Sequence, residues 1–319
     1  MSAPQSDRRL RNRIHTQLTA LHNGGQLAVT AEVSDYLTEQ VIQQAADEYR
    51  AQSPDAPTDG RAAIITAGVP GAGKSSYLNT ITAGYRRIDP DEIKNILLAQ
   101  LETAGLLDIR HSHILADGRT ITPGELAGWV HTASTAAANR VRQESLHFGE
   151  NFVMEGTLSW HKLPSAYVDE LAGHDYEQLT VLDIEVPATI AIEQARERWW
   201  LGRQSRRIWR NVELGGRFIS DAAIHGFYTG PRTPSTCATN ARKLYRDANK
   251  TGIKTDVLVV SRTTTGTEYR ARLTSAGSVE PSAGAPLGAA CTKCGAILRD
   301  PAAILKGVGR PRKQRQPSR

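Results

Sequence analysis

The chain has 319 residues, 39% of them hydrophobic and 23% charged, which is typical of a globular protein that can bury a sizeable core. No apolar run approaches the ~20 residues of a membrane span, the polar N-terminus lacks the apolar stretch of a secretory signal, and three cysteines are too few for a disulfide framework. We therefore expect a cytoplasmic protein with no membrane partner, and no specific nucleic-acid partner either, because the basic residues of the last fourteen positions account for the whole net charge of +6.

Composition and turn signals divide the chain into three predicted parts. Residues 1–58 are expected to form an N-terminal helical extension, since residues 8–50 have the periodicity of two or three amphipathic helices. A turn-rich stretch at residues 51–61 leads into a main domain at residues 59–272. Residues 273–319 are rich in Ala, Gly, Ser and Pro, end in basic residues, and are expected to be a largely disordered tail.

Short apolar runs alternate with helical patterns through the main domain. In chain order the predicted strands are "AAIITAG", "YRRID", "NFVMEGT", "LTVLDIEVP" and "TDVLVVS", and one long helix is predicted over residues 123–149. This alternation predicts an α/β fold of the P-loop NTPase, kinase-like type: a five-stranded parallel sheet with helices on both faces.

A glycine-rich loop follows the first predicted strand. Gly68, Gly73, Lys74 and Ser75 satisfy the pattern G-x-x-x-x-G-K-[S/T], with a strand before it and a helix after it. Such a loop turns successive backbone N–H groups inward and adds the positive end of a helix, and both features bind phosphate. The residues predicted to bind ATP are therefore Gly68, Val69, Pro70, Gly71, Ala72, Gly73, Lys74, Ser75 and Ser76, with the Ser75 hydroxyl as a ligand of Mg²⁺.

Carboxylates follow two of the predicted strands. Asp89 and Asp91 come after the second strand, and Glu155 and Thr157 after the third. A kinase acting on an alcohol needs a carboxylate to accept the hydroxyl proton, and open α/β sheets bind ligands at this edge. An alternative is a helix cap, because Asp91 and Glu92 lie in the first turn of the next predicted helix, where negative charge is favoured.

An arginine-rich stretch extends from Arg196 to Arg217. Such a helix can be a solvated face, but phosphoryl transfer commonly uses arginines from a mobile lid to neutralise the charge of the moving phosphoryl group. The pair Gly215–Gly216 is expected to let a lid loop bring Arg217 close to that group.

Taken together, these pieces resemble the zeta toxin family of P-loop kinases. The resemblance rests on "GVPGAGKSS", "IDPDEIK", "GENFVMEGTL", "GGRFISDAAIHGFY" and "NARKLYRDAN", and covers about two-thirds of the chain. It implies a kinase that transfers the γ-phosphate of ATP to a hydroxyl of a nucleotide sugar, UDP-N-acetylglucosamine in the best-known members, and a small antitoxin as a partner.

The resemblance also implies residue roles. Lys74 and Ser75 correspond to the phosphate lysine and the metal hydroxyl, Asp91 to the general base, and Arg217 to an arginine that clamps the phosphates. A second, upstream clamp is expected at Arg203, with Arg196, Arg198 and Arg206 as competitors. The implied acceptor-side residues are Asp91, Asn139, Glu155 and Thr157, and His161 is expected to line the same pocket.

Three positions depart from the family pattern. Ser159 stands where an arginine is frequent, Asn139 where a glutamate is expected, and Lys94 where an arginine closes the D-x-x-R pattern. Lys94 keeps the charge but not the planar fork of an arginine. Two of the three departures lie on the acceptor side, so the identity of the acceptor is less well supported than the use of a triphosphate.

Two other functions stay open at the level of sequence. One is phosphorylation of a different small alcohol, and the other is a nucleotide-dependent switch, for which Asp183 in "VLDIE" is the nearest match to a second acidic motif. The pair Cys291 and Cys294, and the histidines of "HSH" at residues 111–113, each lack the further ligands that a structural metal site needs.

Overall fold

The structure, a computed structural model, describes residues 5–52, 56–58, 60–78, 82–209, 211–230, 234–264 and 268–281. Its strands are β1 (Ala62–Ala67), β2 (Arg86–Ile88), β3 (Phe152–Met154), β4 (Gln178–Glu185), β5 (Ile208–Trp209), β6 (Val212–Glu213), β7 (Lys254–Arg262), β8 (Glu268–Leu273) and β9 (Val279–Pro281). The two cysteines noted in the sequence, Cys291 and Cys294, and the basic end of the chain lie outside the described residues.

The main sheet has the strand order β2-β3-β1-β4-β7-β8-β9. The first five strands of that order are mutually parallel, which confirms the predicted five-stranded parallel sheet. The antiparallel strands β8 and β9 extend this sheet beyond β7 and were not predicted, and β9 lies past the predicted domain boundary at residue 272. A separate antiparallel hairpin is formed by β5 and β6.

The helices alternate with these strands. They are α1 (Gln5–Asn23), α2 (Ala31–Tyr36), α3 (Glu39–Ala51), α4 (Ser75–Leu78), α5 (Pro90–Thr103), α6 (His131–His147), α7 (Leu163–Gly173), α8 (Ala188–Gln204), α9 (Asp221–His225) and α10 (Thr236–Lys250). The first three lie in the predicted N-terminal helical extension, and the Thr30 and Thr38 hydroxyls cap α2 and α3 by accepting backbone N–H groups.

Burial explains why the central strands are so apolar. All six residues of β1 are buried, and so is every residue of β4 from Val181 to Glu185. Because successive side chains of a strand point to opposite faces, consecutive burial means that both faces of the sheet are covered. Helix α10 packs on β1, β4 and β7, while α6 packs on β2 and β3.

One predicted helix was wrong in extent. The long helix expected over residues 123–149 is a short 3-10 turn, Pro123–Leu126, followed by α6 from His131. The reason is tertiary: the Glu125 carboxylate accepts hydrogen bonds from the Thr122 N–H and from the indole of Trp199, which fixes the chain in a turn at this point.

None of the helices among the described residues is both long and apolar enough to cross a membrane. A cytoplasmic location stays a prediction of the sequence.

Candidate functional site: the phosphate loop and the carboxylates beside it

The glycine-rich loop joins β1 to the short helix α4. Gly71 has φ +83°, and a Cβ atom there would lie 2.1 Å from the carbonyl oxygen of Ala191 on α8. Only glycine therefore fits at this position, for both conformational and packing reasons. The side chains of Ser75 and Ser76 are exposed directly after the loop. The structure thus brings the predicted loop residues together in the expected strand-loop-helix arrangement.

Lys74 folds back over its own loop. Its Nζ donates hydrogen bonds to the carbonyl oxygens of Gly68, at 2.7 Å, and Val69, at 3.2 Å. Burial lowers the pKa of Lys74, and the charge of Arg198 lowers it further. A phosphate oxygen in place of one of these neutral carbonyls would add the attraction of opposite charges to the hydrogen bond of the ammonium group. The lysine is therefore placed to bind an anion in the loop.

The end of β3 is tied to this loop. The Gly68 N–H donates to the carbonyl of Thr157 at 3.2 Å, and the Thr66 hydroxyl bonds both the carbonyl and the N–H of Gly156, each at 2.9 Å. The Thr157 hydroxyl itself donates to Ser159 Oγ at 3.0 Å. The E-G-T segment is therefore held against the loop by its backbone.

Asp91 lies at the first turn of α5, at the carboxyl end of β2. Lys94 Nζ is 2.9 Å from Asp91 Oδ1, and Arg217 Nη1 is 3.8 Å from Asp91 Oδ2 and also donates to the Asp91 carbonyl. Burial raises the pKa of Asp91, but the charges of Arg217 and Lys94 outweigh it and hold the pKa well below its usual range. Asp91 is therefore an ionised carboxylate, with 36% of its side chain exposed.

Asp89 has the opposite electrostatic environment. It caps α5 by accepting the Asp91 N–H at 2.8 Å, and its own N–H donates to the Tyr49 hydroxyl at 3.0 Å. Burial raises its pKa to about 7, and the neighbouring charges of Glu155 and Asp91 act in the same direction. The capping role that the sequence left open is thus filled by Asp89, while Asp91 faces the cations.

Glu155 is buried and pairs with an arginine that the sequence analysis did not single out. The Nε of Arg87 donates to Glu155 Oε1, and an Arg87 Nη lies 3.7 Å from Asp89 Oδ2. Arg87 therefore links the ends of β2 and β3. The sequence signal that could have found Arg87 is its place in the middle of the predicted strand. Side chains alternate along a strand, so Arg87 lies on the face opposite to the buried residues Arg86 and Ile88.

The structure argues against the expectation that Arg203 is the second phosphate clamp. Its side chain is 0% exposed, and it donates from Nε and Nη2 to Asp117, at 2.7 and 2.8 Å, and from Nη1 to Glu125, at 2.9 and 2.8 Å. Its donors are used by these two carboxylates and by the carbonyl oxygens of Arg119 and Thr120, so we no longer expect this buried guanidinium to bind the phosphates of ATP. Removing it from these partners would leave buried charges uncompensated.

Arg198, another competitor, is exposed, and its charge lowers the pKa of both Lys74 and Asp91. Sequence reasoning missed Arg207: burial lowers its pKa, and the charge of Arg217 acts in the same direction. Arg196 instead pairs with Asp221 at 3.0 Å. Arg206 lines a cavity of about 400 Å³ that includes Glu102, at the opposite end of α5 from Asp91.

Gly216 has a packing role that the sequence analysis did not anticipate. A Cβ at Gly216 would lie 1.9 Å from the carbonyl oxygen of Trp199. The absence of a side chain therefore lets the segment that carries Arg217 pack directly on α8. Motion of this segment as a lid stays a prediction of the sequence.

The remaining predicted acceptor residues are less tightly grouped. Asn139 accepts a hydrogen bond from Arg142 at 3.4 Å, and His161 is exposed beside Trp160, with a centroid distance of 6.4 Å between the rings. Sequence reasoning did not single out His131 of α6: burial lowers its pKa, the charge of Lys94 acts in the same direction, and the charge of Asp91 raises the pKa. Its position at the helix start carries no sequence signal of its own.

The strand-loop-helix arrangement and the parallel sheet define a P-loop nucleotide-binding protein. Residues 46–242 match the family described as Zeta toxin. Because this match spans more than half of the chain, the protein belongs to the zeta toxin family, and it is a kinase-type phosphotransferase.

Solved structures of similar fold have low identity to this chain. One, from the PezAT chromosomal toxin-antitoxin system of Streptococcus pneumoniae, is 12% identical with a TM-score of 0.44, over 73% of this chain and 81% of that one. Another, of AvrRxo1-ORF1:-ORF2 with ATP, is 14% identical with a TM-score of 0.42, over 79% and 70%. No curated protein matches the sequence. At these TM-scores neither structure carries an argument about the present site.

Proposed function

We propose that the protein transfers the γ-phosphate of ATP to a hydroxyl group of a nucleotide sugar, UDP-N-acetylglucosamine in the first instance. The observation that carries this proposal is the position of Asp91: an ionised, partly exposed carboxylate at the same sheet edge as the phosphate loop. Because β1, β2 and β3 are parallel neighbours, their carboxyl ends meet at this edge.

In the proposed reaction Asp91 takes the proton of the acceptor hydroxyl. The acceptor oxygen forms a bond to the γ-phosphorus as the bond between that phosphorus and the bridging oxygen of ADP breaks. Lys74, Arg198 and Arg217 stabilise the charge that develops on the phosphoryl oxygens and on ADP. Glu155, Thr157, Asn139 and His161 are proposed to contact the acceptor.

Mg²⁺ fits this site through a small number of protein ligands. Among the described residues no group of three or more His, Cys, Asp or Glu side chains is placed to hold a metal ion. Mg²⁺ in phosphoryl-transfer sites typically uses one or two protein oxygens together with phosphate oxygens and water, and the exposed Ser75 hydroxyl can supply one. The ion would offset negative charge on the phosphates.

The switch alternative gains no support from the second acidic motif. Asp183 is buried on β4, and its neighbour Glu185 accepts a hydrogen bond from Ser235. Burial raises the pKa of both carboxyls. An antitoxin partner is proposed with the kinase function and is tested by co-purification with the product of a neighbouring short reading frame.

Labelled ATP and a panel of sugar nucleotides test the proposal. We expect label in one acceptor, a loss of about 10²–10⁴ in kcat for Asp91→Asn with ATP affinity retained, and a loss of both binding and transfer for Lys74→Ala. Asp175→Asn is the matched control, because its side chain is 88% exposed. Hydrolysis of ATP without a labelled acceptor would favour the switch, and a wild-type rate for Asp91→Asn would remove that residue from its role.

A further inference from the structure

The segment that carries Arg217 is held by the first helix of the chain. The ring of Phe218, the next residue, stacks on His22 of α1 at a centroid distance of 5.3 Å and an interplanar angle of 4°. His15, about two turns earlier on the same face of α1, lies 4.9 Å from the same ring. Trp199 of α8 closes the group at 5.9 Å. Phe218 is therefore enclosed by aromatic rings from α1 and α8.

Two polar contacts fix the same region. His15 Nε2 donates to the carbonyl of Ile219 at 3.3 Å, and it lies 3.6 Å from Asp221 Oδ1. His22 Nε2 donates to the carbonyl of Glu125 at 3.0 Å. Because a carbonyl only accepts, both histidines carry a proton on Nε2. His15 is 4% exposed, so this hydrogen bond is shielded from water.

Helix α1 is also anchored to α8, the helix that carries Arg198. Arg11 reaches Glu193 at 2.9 Å and Glu197 at 2.8 Å, and the indole of Trp200 donates to Asp7 at 3.0 Å. Together with the contacts to Phe218 and Ile219, they fix α1 relative to both α8 and the segment that carries Arg217. Residues 5–23 nevertheless lie outside residues 46–242, the part of the chain that matches the family.

We infer that α1 is a built-in positioning element for phosphoryl transfer, in which His15 and His22 hold Phe218 and Ile219 so that Arg217 stays directed at Asp91. The inference rests on the proposed function. Stabilisation of transition-state charge depends on donors that are already oriented, and a displacement of about 1 Å can cost roughly 10²-fold in rate.

His15→Ala is the first test. We expect kcat for acceptor phosphorylation to fall by about 10–100-fold with little change in the KM for ATP, because Arg217 acts mainly on the transition state. His15→Gln places an amide nitrogen where Nε2 lies and should recover most of the lost rate. Arg8→Ala is the same-helix control: its side chain is 65% exposed, and its pair with Glu193 is 3.4 Å long.

A double-mutant cycle separates positioning from general destabilisation. If His15 acts through Arg217, His15→Ala should have little further effect on kcat in an Arg217→Ala background. Rates are taken per folded molecule, from circular dichroism and the thermal midpoint. An additive effect in the double variant, or an unchanged kcat in His15→Ala, would overturn the inference.

Hydrogen exchange distinguishes this inference from the proposed function. If the wild-type protein labels no acceptor, the proposed function fails, and the amide exchange of residues 214–221 still reports the support. We expect faster exchange there in His15→Ala and recovery in His15→Gln. Unchanged exchange in both variants would show that α1 does not hold the segment.

Discussion

Arg217 and Arg203 lie fourteen residues apart in one arginine-rich stretch, and both pair with carboxylates, yet their surroundings differ. Arg203 is 0% exposed and donates to Asp117 and Glu125 at 2.7–2.9 Å, and also to backbone carbonyls of Arg119 and Thr120. Arg217 is 19% exposed, donates to the Asp91 carbonyl and lies 3.8 Å from the Asp91 carboxylate oxygen Oδ2. The first cluster is closed and saturated, and the second is open and leaves donors for another anion.

This difference separates a structural ion pair from a functional one. A buried guanidinium with two carboxylates has its hydrogen bonds complete and resists change, because exposing either partner costs desolvation energy. A partly exposed guanidinium beside Lys94 and Arg207 adds positive charge next to a carboxylate, which favours binding of a polyphosphate. The number of arginines in the stretch therefore indicates a phosphate site less well than the extent to which the donors of each arginine already have partners.

The largest expected effect is on catalysis. Arg217→Ala should lower kcat by about 10³-fold, because an arginine at the transferring phosphoryl group is worth that order of magnitude. The free energy of unfolding should change by less than about 1 kcal/mol, since the ion pair is partly exposed. Steady-state transfer assays with urea unfolding measure both quantities, and Arg206→Ala, a neighbouring exposed arginine, serves as the control. A wild-type kcat would end the functional assignment of Arg217.

The second effect is on stability. Arg203→Ala should lower the free energy of unfolding by about 3–5 kcal/mol, because Glu125 is left as a buried charge and Asp117, whose side chain is 11% exposed, loses the same partner. The rate of transfer per folded molecule should fall far less than in Arg217→Ala. Urea denaturation of both variants gives the comparison. A stable Arg203→Ala protein with a selective loss of ATP binding would reinstate Arg203 as a clamp and contradict the closed-cluster interpretation.

The smallest effect concerns Asp89, the neighbour of Asp91, and the change of the free energy of unfolding with pH. The pKa of Asp89 rises from 3.8 to about 7 on folding, so the folded state holds the proton more tightly and stability is lost as pH rises from about 4 to 7. Asp89→Asn removes this contribution while keeping a good N-cap. From pH 5 to pH 8, the free energy of unfolding of the variant should therefore rise by roughly 2–3 kcal/mol relative to that of the wild type.

If the free energies of unfolding of Asp89→Asn and wild type change by the same amount from pH 5 to pH 8, the raised pKa is contradicted. Asp175→Asn controls for the general effect of replacing a carboxylate on the surface, because that side chain is 88% exposed. The expected difference is specific to Asp89, since burial and the charges of Glu155 and Asp91 act on that group.

The local patterns of the sequence determined much of this protein. The glycine-rich loop with its lysine, the five parallel strands and the carboxylates after β2 and β3 were all predicted, because each depends on a short segment and its immediate flanks. The 3-10 turn at Pro123–Leu126 was not, because Glu125 is held there by Trp199, far along the chain. The strands β8 and β9 were likewise missed: β8 lies at the end of the predicted main domain, and β9 lies in the stretch whose composition indicated a tail.

Only the tertiary structure decided how the arginines and acids are shared out. Arg203 and Arg217 belong to one arginine-rich stretch, but the distant carboxylates of Asp117 and Glu125 engage the first, while the second lies beside Asp91. The contact of His15 and His22 with the Arg217 segment joins residues about 200 positions apart, as in the hydrogen bond between His15 and Ile219. A sequence lists which groups a chain has, and burial and pairing, which depend on the whole fold, determine which of them stay available for chemistry.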